Sequence, residues 1–230
     1  MNDLQLPLHG GRRARNFDLI VFDWDGTLMD STALIVRSIQ AAAHDLGLEP
    51  PADAAAREVI GLGLEQALAR ALPVLTPDRY GMMAERYRHH YLTHDRQLAL
   101  FAGTETLIRT LADAGHMLAV ATGKSRAGLE RGLEVSGLGA VFHGTRCADE
   151  CFSKPHPQML EELMDEFGVV PEATLMIGDT AHDLQMARNA GVAAVAISHG
   201  AHPREALLTH HPLYCAHSIE DLGSWLRKHA

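Results

Sequence analysis

Apolar residues in this chain cluster in short uninterrupted runs, at Leu19–Phe22, 117–121, 175–177 and Ala193–Ile197, with a weaker one near 140–143. Runs of this length without polar alternation predict strands buried on both faces, as in parallel sheets. Between them lie patterns of helical length at 105–114, 125–136, 157–167 and 181–190. Strands alternating with helices predict right-handed βαβ units and a doubly wound parallel sheet.

One stretch breaks the alternation. Residues 31–97 carry helical patterns at 32–46, 64–72 and 78–93 and no strand pattern. Pro50-Pro51 and Thr76-Pro77 punctuate the stretch as chain breakers. The expected division is a flexible lead-in over 1–16, an α/β core made of 17–30 and 98–230, and a helical domain inserted over 31–97. No repeat or low-complexity tract appears.

The chain has 230 residues, of which 47% are apolar and 21% charged. That is long enough to bury a core without disulfides or metal staples, and it argues against a disordered, collagen-like or coiled-coil protein. Twenty Lys+Arg against 29 Asp+Glu give a formal charge of −9, which disfavours general attraction to nucleic acid or an anionic membrane. No apolar run approaches the roughly 20 residues of a membrane span. Arg12-Arg13 is not followed by the apolar segment a secretion signal needs. Cys147, Cys151 and Cys215 are odd in number and unevenly placed, so free thiols are expected rather than a disulfide framework. A cytoplasmic monomer or homodimer is the resulting expectation.

Open α/β sheets bind ligands beyond the carboxyl ends of their strands, so the polar residues after each apolar run hold the chemistry. These are Asp23-Trp24-Asp25-Gly26-Thr27, Thr122-Gly123-Lys124-Ser125 and Gly178-Asp179-Thr180-Ala181-His182-Asp183, with Ser153-Lys154-Pro155 opening a helix. Asp23, Asp25, Asp179 and Asp183 would crowd like charges at one sheet edge, which is expensive without a cation. All are hard oxygen ligands, which suits Mg²⁺. Lys154 adds a fixed positive charge, Thr122 a hydroxyl donor, and the helix start at Ser125 backbone N–H groups for an anion. Gly123 and Gly178 permit close backbone approach. Together these groups describe a phosphate site.

The sequence resembles the haloacid dehalogenase-like superfamily of phosphohydrolases, in particular members with a helical cap after the first motif and the phosphoglycolate phosphatase-like branch. DWDGT resembles the first motif, Thr122 the second, Lys154 the third and GDTAHD the fourth, in the correct order, over nearly the whole chain from Phe17 onward. The resemblance implies a Rossmann-like core with an inserted α-helical cap. It also implies that Asp23 is a nucleophile forming an aspartyl-phosphate, and that Asp25 acts as general acid and base. Asp23, Asp179 and the Asp25 backbone carbonyl would hold Mg²⁺, with Asp183 in support, while Thr122, Gly123 and Lys154 would cradle the phosphoryl group. The implied activity is a Mg²⁺-dependent phosphatase acting on a small phosphorylated metabolite, a phosphoglycolate-like compound or a sugar phosphate. A pyrophosphatase or phosphomutase of the same fold is the alternative, and a non-catalytic phosphate-binding protein a further one. Members of that family that displace halide usually lack the second aspartate, so the resemblance, with Asp25 present, implies an ester or anhydride leaving group rather than halide. The helical insert would act as a lid, with Arg57 in its loop 57–63 meeting an anionic substrate.

Plainer readings compete elsewhere. Thr122-Gly123-Lys124-Ser125 contains the GKS of a nucleotide P-loop, but Leu118 stands where that motif needs glycine. His90 and His94 share a helix face without a third ligand, and read as a solvated pair. His210, His211 and His217 read the same way. Cys147 and Cys151 read as idle thiols, and Met82, Met83 and Tyr87 as cap core.

Overall fold

The structure is a computed structural model that describes residues 16–230. Apart from Asn16, the lead-in expected over 1–16, including Arg12, Arg13 and Arg15, lies outside those residues.

Strand β1 (Leu19–Phe22) is buried along its whole length. Its side chains alternate between two cores: Ile20 and Phe22 pack into one apolar cluster, Leu19 and Val21 into another on the opposite face. Period-2 alternation places successive residues on opposite faces, so an unbroken apolar run is what a strand covered on both faces requires.

Four helices follow β1: α1 (Thr32–Asp45), α2 (Asp53–Glu58), α3 (Leu64–Ala71) and α4 (Tyr80–Leu92). They share a separate apolar core that includes Leu34, Ile39, Leu68, Met83 and Tyr91, and α1 packs along α4. This is the helical cap. The chain returns through α5 (Thr104–Asp113) and β2 (Met117–Thr122), then α6 (Arg126–Ser136) and β3 (Gly144–Cys147). Next come α7 (Gln158–Phe167), β4 (Thr174–Gly178), α8 (Ala181–Asn189) and β5 (Ala193–Ile197). The last elements are α9 (Arg204–Leu208), β6 (Tyr214–Ala216) and α10 (Ile219–His229).

The six strands form one sheet in the order β3-β2-β1-β4-β5-β6, and every pairing is parallel. β1 lies inside it, with Phe22 opposite Val120 of β2 and Ile177 of β4. The segments that leave and re-enter the core run side by side: Asp30 N–H donates to the Ala99 carbonyl and Phe101 N–H to the Leu28 carbonyl, each at 3.0 Å. Met29 and Leu100 bridge antiparallel between them.

The third strand departs from expectation. The apolar letters near 140–143 are not a strand; Phe142, together with Leu138 before the run, fills the core from a loop, and the strand follows at Gly144–Cys147. An edge strand is half exposed, so the polar letters Thr145 and Arg146 suit it and give no apolar signal. Helices α2, α9 and α10 and strand β6 lie outside the elements that the sequence pattern predicts. Ser218 caps α10 by accepting from Asp221 N–H at 3.2 Å.

Candidate active site at the carboxyl edge of the sheet

The loops after β1, β2 and β4 meet at one sheet edge. Asp23, directly after β1, is fully buried. Its Oδ1 accepts from Lys154 Nζ at 2.6 Å, while Oδ2 is buried with no hydrogen-bond partner. Lys154, on the loop before α7, donates equally to Asp183 Oδ1 at 2.6 Å. Asp183 sits in the first turn of α8 through a capping box, its Oδ2 accepting from Thr180 N–H at 3.0 Å and Thr180 Oγ at 2.6 Å. Asp179, after β4, accepts from Thr27 Oγ1 and from Ala201 N–H, both at 2.7 Å.

These three carboxylates each place an oxygen within 4.8 Å of the others, and glycines make the closeness possible. A Cβ on Gly26, whose φ is +81°, or on Gly200 would collide with Asp179, and one on Gly178 with Asp183. Burial pushes the Asp23 carboxyl up to about 7 against the pull of Lys154, with the Asp183 charge adding to the rise. Burial, then the charges of Asp23 and Asp183, holds Asp179 well above the usual carboxylate range. For Lys154, burial works against the charge, but Asp183 and Asp23 outweigh it and raise the ammonium above the ordinary lysine value. Three crowded carboxylates, one lysine and an orphaned buried oxygen form a hard, anionic donor set. It fits a divalent cation such as Mg²⁺.

Asp25 stands at the mouth of this cluster. Its Oδ1 accepts from Ser31 Oγ at 2.6 Å, and both oxygens accept from Lys124 Nζ at 2.9 Å. Lys124 also donates to Tyr91 Oη of α4 at 2.9 Å and lies 4.7 Å from the centroid of that ring. Burial opposes the Lys124 charge, but Asp25 and the neighbouring tyrosines hold the ammonium above its usual value. Thr122 is buried at the end of β2 and accepts from Lys124 N–H at 3.2 Å. Ser125 caps α6 by accepting from Gly128 N–H.

A cavity of about 570 Å³ lies above these groups. Asp23, Asp25, Thr122 and Gly123 line its core side, and Ile39, Leu62 and Tyr87 line its cap side. The cap is docked against the core. Gly63 N–H donates to Ser153 Oγ at 2.7 Å, and a Cβ on Gly123 would lie 2.5 Å from the Gly61 carbonyl oxygen and 2.6 Å from that of Leu62.

A second group of ligating side chains, Glu58, His182 and His202, also falls within 4.8 Å. Its tautomers speak against a metal. Ala181 N–H donates to His202 Nδ1 at 3.1 Å, so the neutral ring carries its proton on Nε2. That Nε2 faces the Glu58 carbonyl oxygen at 3.3 Å, and His182 Nε2 reaches the same oxygen at 2.8 Å. The pair is a latch from core to cap.

The sequence-predicted residues Asp23, Asp25, Thr122, Gly123, Lys154, Asp179 and Asp183 therefore converge. Arg57 does not join them: it is half-buried on α2 and absent from the cavity lining, where residues 59–67 stand instead. Sequence reasoning missed Lys124, Ser31 and Tyr91. Lys124 carries a usable signal, a cation two residues past Thr122 in a strand-end loop. Tyr87 and Tyr91, four apart on α4, signalled an aromatic face. His90 pairs with Asp45 at 2.8 Å, and burial pushes the Cys147 thiol up to about 12 and that of Cys151 to about 11, which suits inert thiols.

With this geometry in hand, the chain can be set beside known proteins. A family profile described as haloacid dehalogenase-like hydrolase matches residues 20–197. A protein of Dickeya dadantii described as "Probable phosphatase IndB" is 36% identical over 200 residues, covering 84% of this chain and 86% of its own. The pyrophosphatase PpaX of Halalkalibacterium halodurans is 30% identical over 205 residues, covering 88% and 94%. A crystal structure from Haemophilus somnus, described as a predicted phosphoglycolate phosphatase, superposes with a TM-score of 0.80 at 25% identity, covering 91% of this chain and 98% of that one.

Proposed function

The chain belongs to the haloacid dehalogenase-like hydrolases, and from that premise we propose that it is a Mg²⁺-dependent phosphatase of small phosphorylated metabolites, working through an aspartyl-phosphate on Asp23. The observation that carries this reading is Asp23 itself: one oxygen is held by Lys154 at 2.6 Å and the other is buried without a partner beside Asp179 and Asp183. A buried, unsatisfied carboxylate oxygen is costly, and a nucleophile facing a bound cation and substrate is a use that justifies it.

Asp23 and Asp179, with the Asp25 backbone carbonyl and Asp183 in support, would hold Mg²⁺. Bound there, the cation would neutralise charge on the phosphoryl oxygens. Asp23 attacks phosphorus as the bond to the bridging oxygen breaks, and that bond's electron pair leaves with the oxygen. Asp25 supplies the proton that the departing oxygen takes up. In the second step Asp25 accepts a proton from the water that attacks phosphorus and returns Asp23. Lys154 holds Asp23 in place and neutralises the transferring group, while Thr122 and the Gly123 backbone complete the cradle. The docked cap covers the site from one side and would limit the access of bulk water to this chemistry.

The test is phosphate release from a panel of small phosphate esters and pyrophosphate with Mg²⁺, beside the Asp23→Asn protein. Release that Asp23→Asn lowers at least about 10³-fold is expected, because an amide is a poor nucleophile. Undiminished release by the variant would overturn the assignment.

A further inference from the structure

Lys124 is a largely buried charged group in the cavity that the proposed chemistry leaves without a task. Its side chain is only 11% exposed, it lines the cavity, and it spends two N–H bonds on a single carboxylate, Asp25, at 2.9 Å each. One of those two bonds is exchangeable without leaving Asp25 unpaired, because Ser31 Oγ also donates to it at 2.6 Å. Tyr91 Oη accepts from Lys124, and among the described residues its own hydroxyl hydrogen has no acceptor. A cation and an O–H donor thus stand together where the cap meets the core.

We propose that Lys124, assisted by Tyr91, is the specificity-determining residue that binds a second negative charge on the leaving group, close to the bridging oxygen. The inference rests on the phosphatase reading above and narrows its substrate class.

The closeness follows from reach. Asp25 must come within a hydrogen bond, about 2.7 Å, of the bridging oxygen to serve it. Lys124 Nζ is 2.9 Å from both Asp25 oxygens. The bridging oxygen and the ammonium therefore lie within about 6 Å of each other. A carboxylate one carbon beyond the bridging oxygen, or the second phosphoryl group of pyrophosphate, falls inside that span. The uncharged body of a sugar phosphate offers the ammonium only neutral oxygens there, which bind it less strongly than an anion does. Burial makes the difference in strength: Arg88 and Arg131 also line the cavity but are exposed, and Arg131 faces Asp95 at 3.3 Å. Exposed charges are screened by water and salt, whereas a buried one is not.

The matched probes are 2-phosphoglycolate and 2-hydroxyethyl phosphate, which differ in replacing a carboxylate by an uncharged alcohol, with pyrophosphate as a second anionic case. In the wild-type protein kcat/KM is expected to favour 2-phosphoglycolate by about 30-fold or more, the size of a lost buried charge contact. Lys124→Met should lose at least about 10-fold more kcat/KM on 2-phosphoglycolate and pyrophosphate than on 2-hydroxyethyl phosphate, any loss through Asp25 being shared by all three, while Lys124→Arg restores most of the preference. A wild-type ratio near one overturns the proposal without any variant. Equal losses on all three substrates in folded Lys124→Met, judged by an unchanged circular dichroism spectrum, overturn it as well. The Asp23→Asn protein separates the two levels. Asp23-dependent release with a ratio that Lys124 does not govern removes this inference alone, whereas no Asp23-dependent release from any of these or an aryl phosphate removes the phosphatase reading and this inference with it.

Discussion

Lys154 has no exposure and two carboxylates at 2.6 Å, Asp23 and Asp183. Removing one partner of a buried ion pair leaves uncompensated charge and costs about 3–5 kcal/mol. Lys154→Met is therefore expected to lower the unfolding free energy by about 3–5 kcal/mol in the presence of a chelator, read from the urea midpoint, with Mg²⁺ recovering part of the loss. At this scale the sequence was most legible. Asp23, Asp25 and Asp179 stood out because they follow apolar strands, and Lys154 and Asp183 because they lie where helices begin. Tyr91 and Ser31 were not, because a tyrosine in a helix and a serine before one look the same whether or not they touch an active-site side chain. Arg57 lies outside the cavity lining, and a charge beside a glycine-rich loop says nothing about which way the helix carrying it is turned.

Among the elements, the strands buried on both faces, β1, β2, β4 and β5, announced themselves, since double burial forces an apolar run. Edge strands β3 and β6 are covered less, and their letters carry correspondingly less pattern. Helix α10 did carry a readable start, Ser218 with Asp221 three residues on, and apolar Ile219, Leu222 and Leu226 at helical spacing. Gly123 ties the elements to the cap. Its missing Cβ is the space into which the Gly61 and Leu62 carbonyls fit. Gly123→Ala should hold the cap loop away from the core, lowering kcat by about 10²-fold through loss of closure while shifting stability by under about 1 kcal/mol. Paired activity assays and thermal melts check this, with faster proteolysis of the cap as a third sign.

For the molecule as a whole, the active site is a store of unfavourable charge that a cation relieves. Burial raises the Asp23 carboxyl to about 7 and holds Asp179 well above the usual range. A carboxylate raised on folding contributes stability that is fully present below its unfolded value near 3.8 and lost as pH rises through the folded value, here near 7 for Asp23. The chelated protein should therefore lose stability from about pH 4 to pH 7 on account of these groups. Ionised carboxylates also bind the cation better, so the rise in Tm on adding Mg²⁺ should be larger at pH 8 than at pH 5. Calorimetry with Mg²⁺ and with chelator at both pH values checks the sign. The plan of a parallel sheet covered on both faces, with a helical insertion, was readable from the rhythm of the chain, whereas the closed pose of the cap was not. Closure depends on contacts between residues far apart in sequence, such as Gly63 with Ser153 and His182 with Glu58, and no local pattern encodes them.

The paired segments around Met29 and Leu100 have a consequence for ancestry and engineering. Because the two ends of the insertion already touch, the core experiences the cap as a loop whose closure is fixed at its base. Lengthening a loop costs little entropy, about 0.6 kcal/mol per doubling. A lineage can therefore enlarge, shrink or exchange the insertion while the sheet keeps its register, and replacing it by a short turn between Asp30 and Ala99 should leave a core that still folds. The sheet that carries the carboxylate cluster and the insertion that covers it can thus change at different rates within one chain.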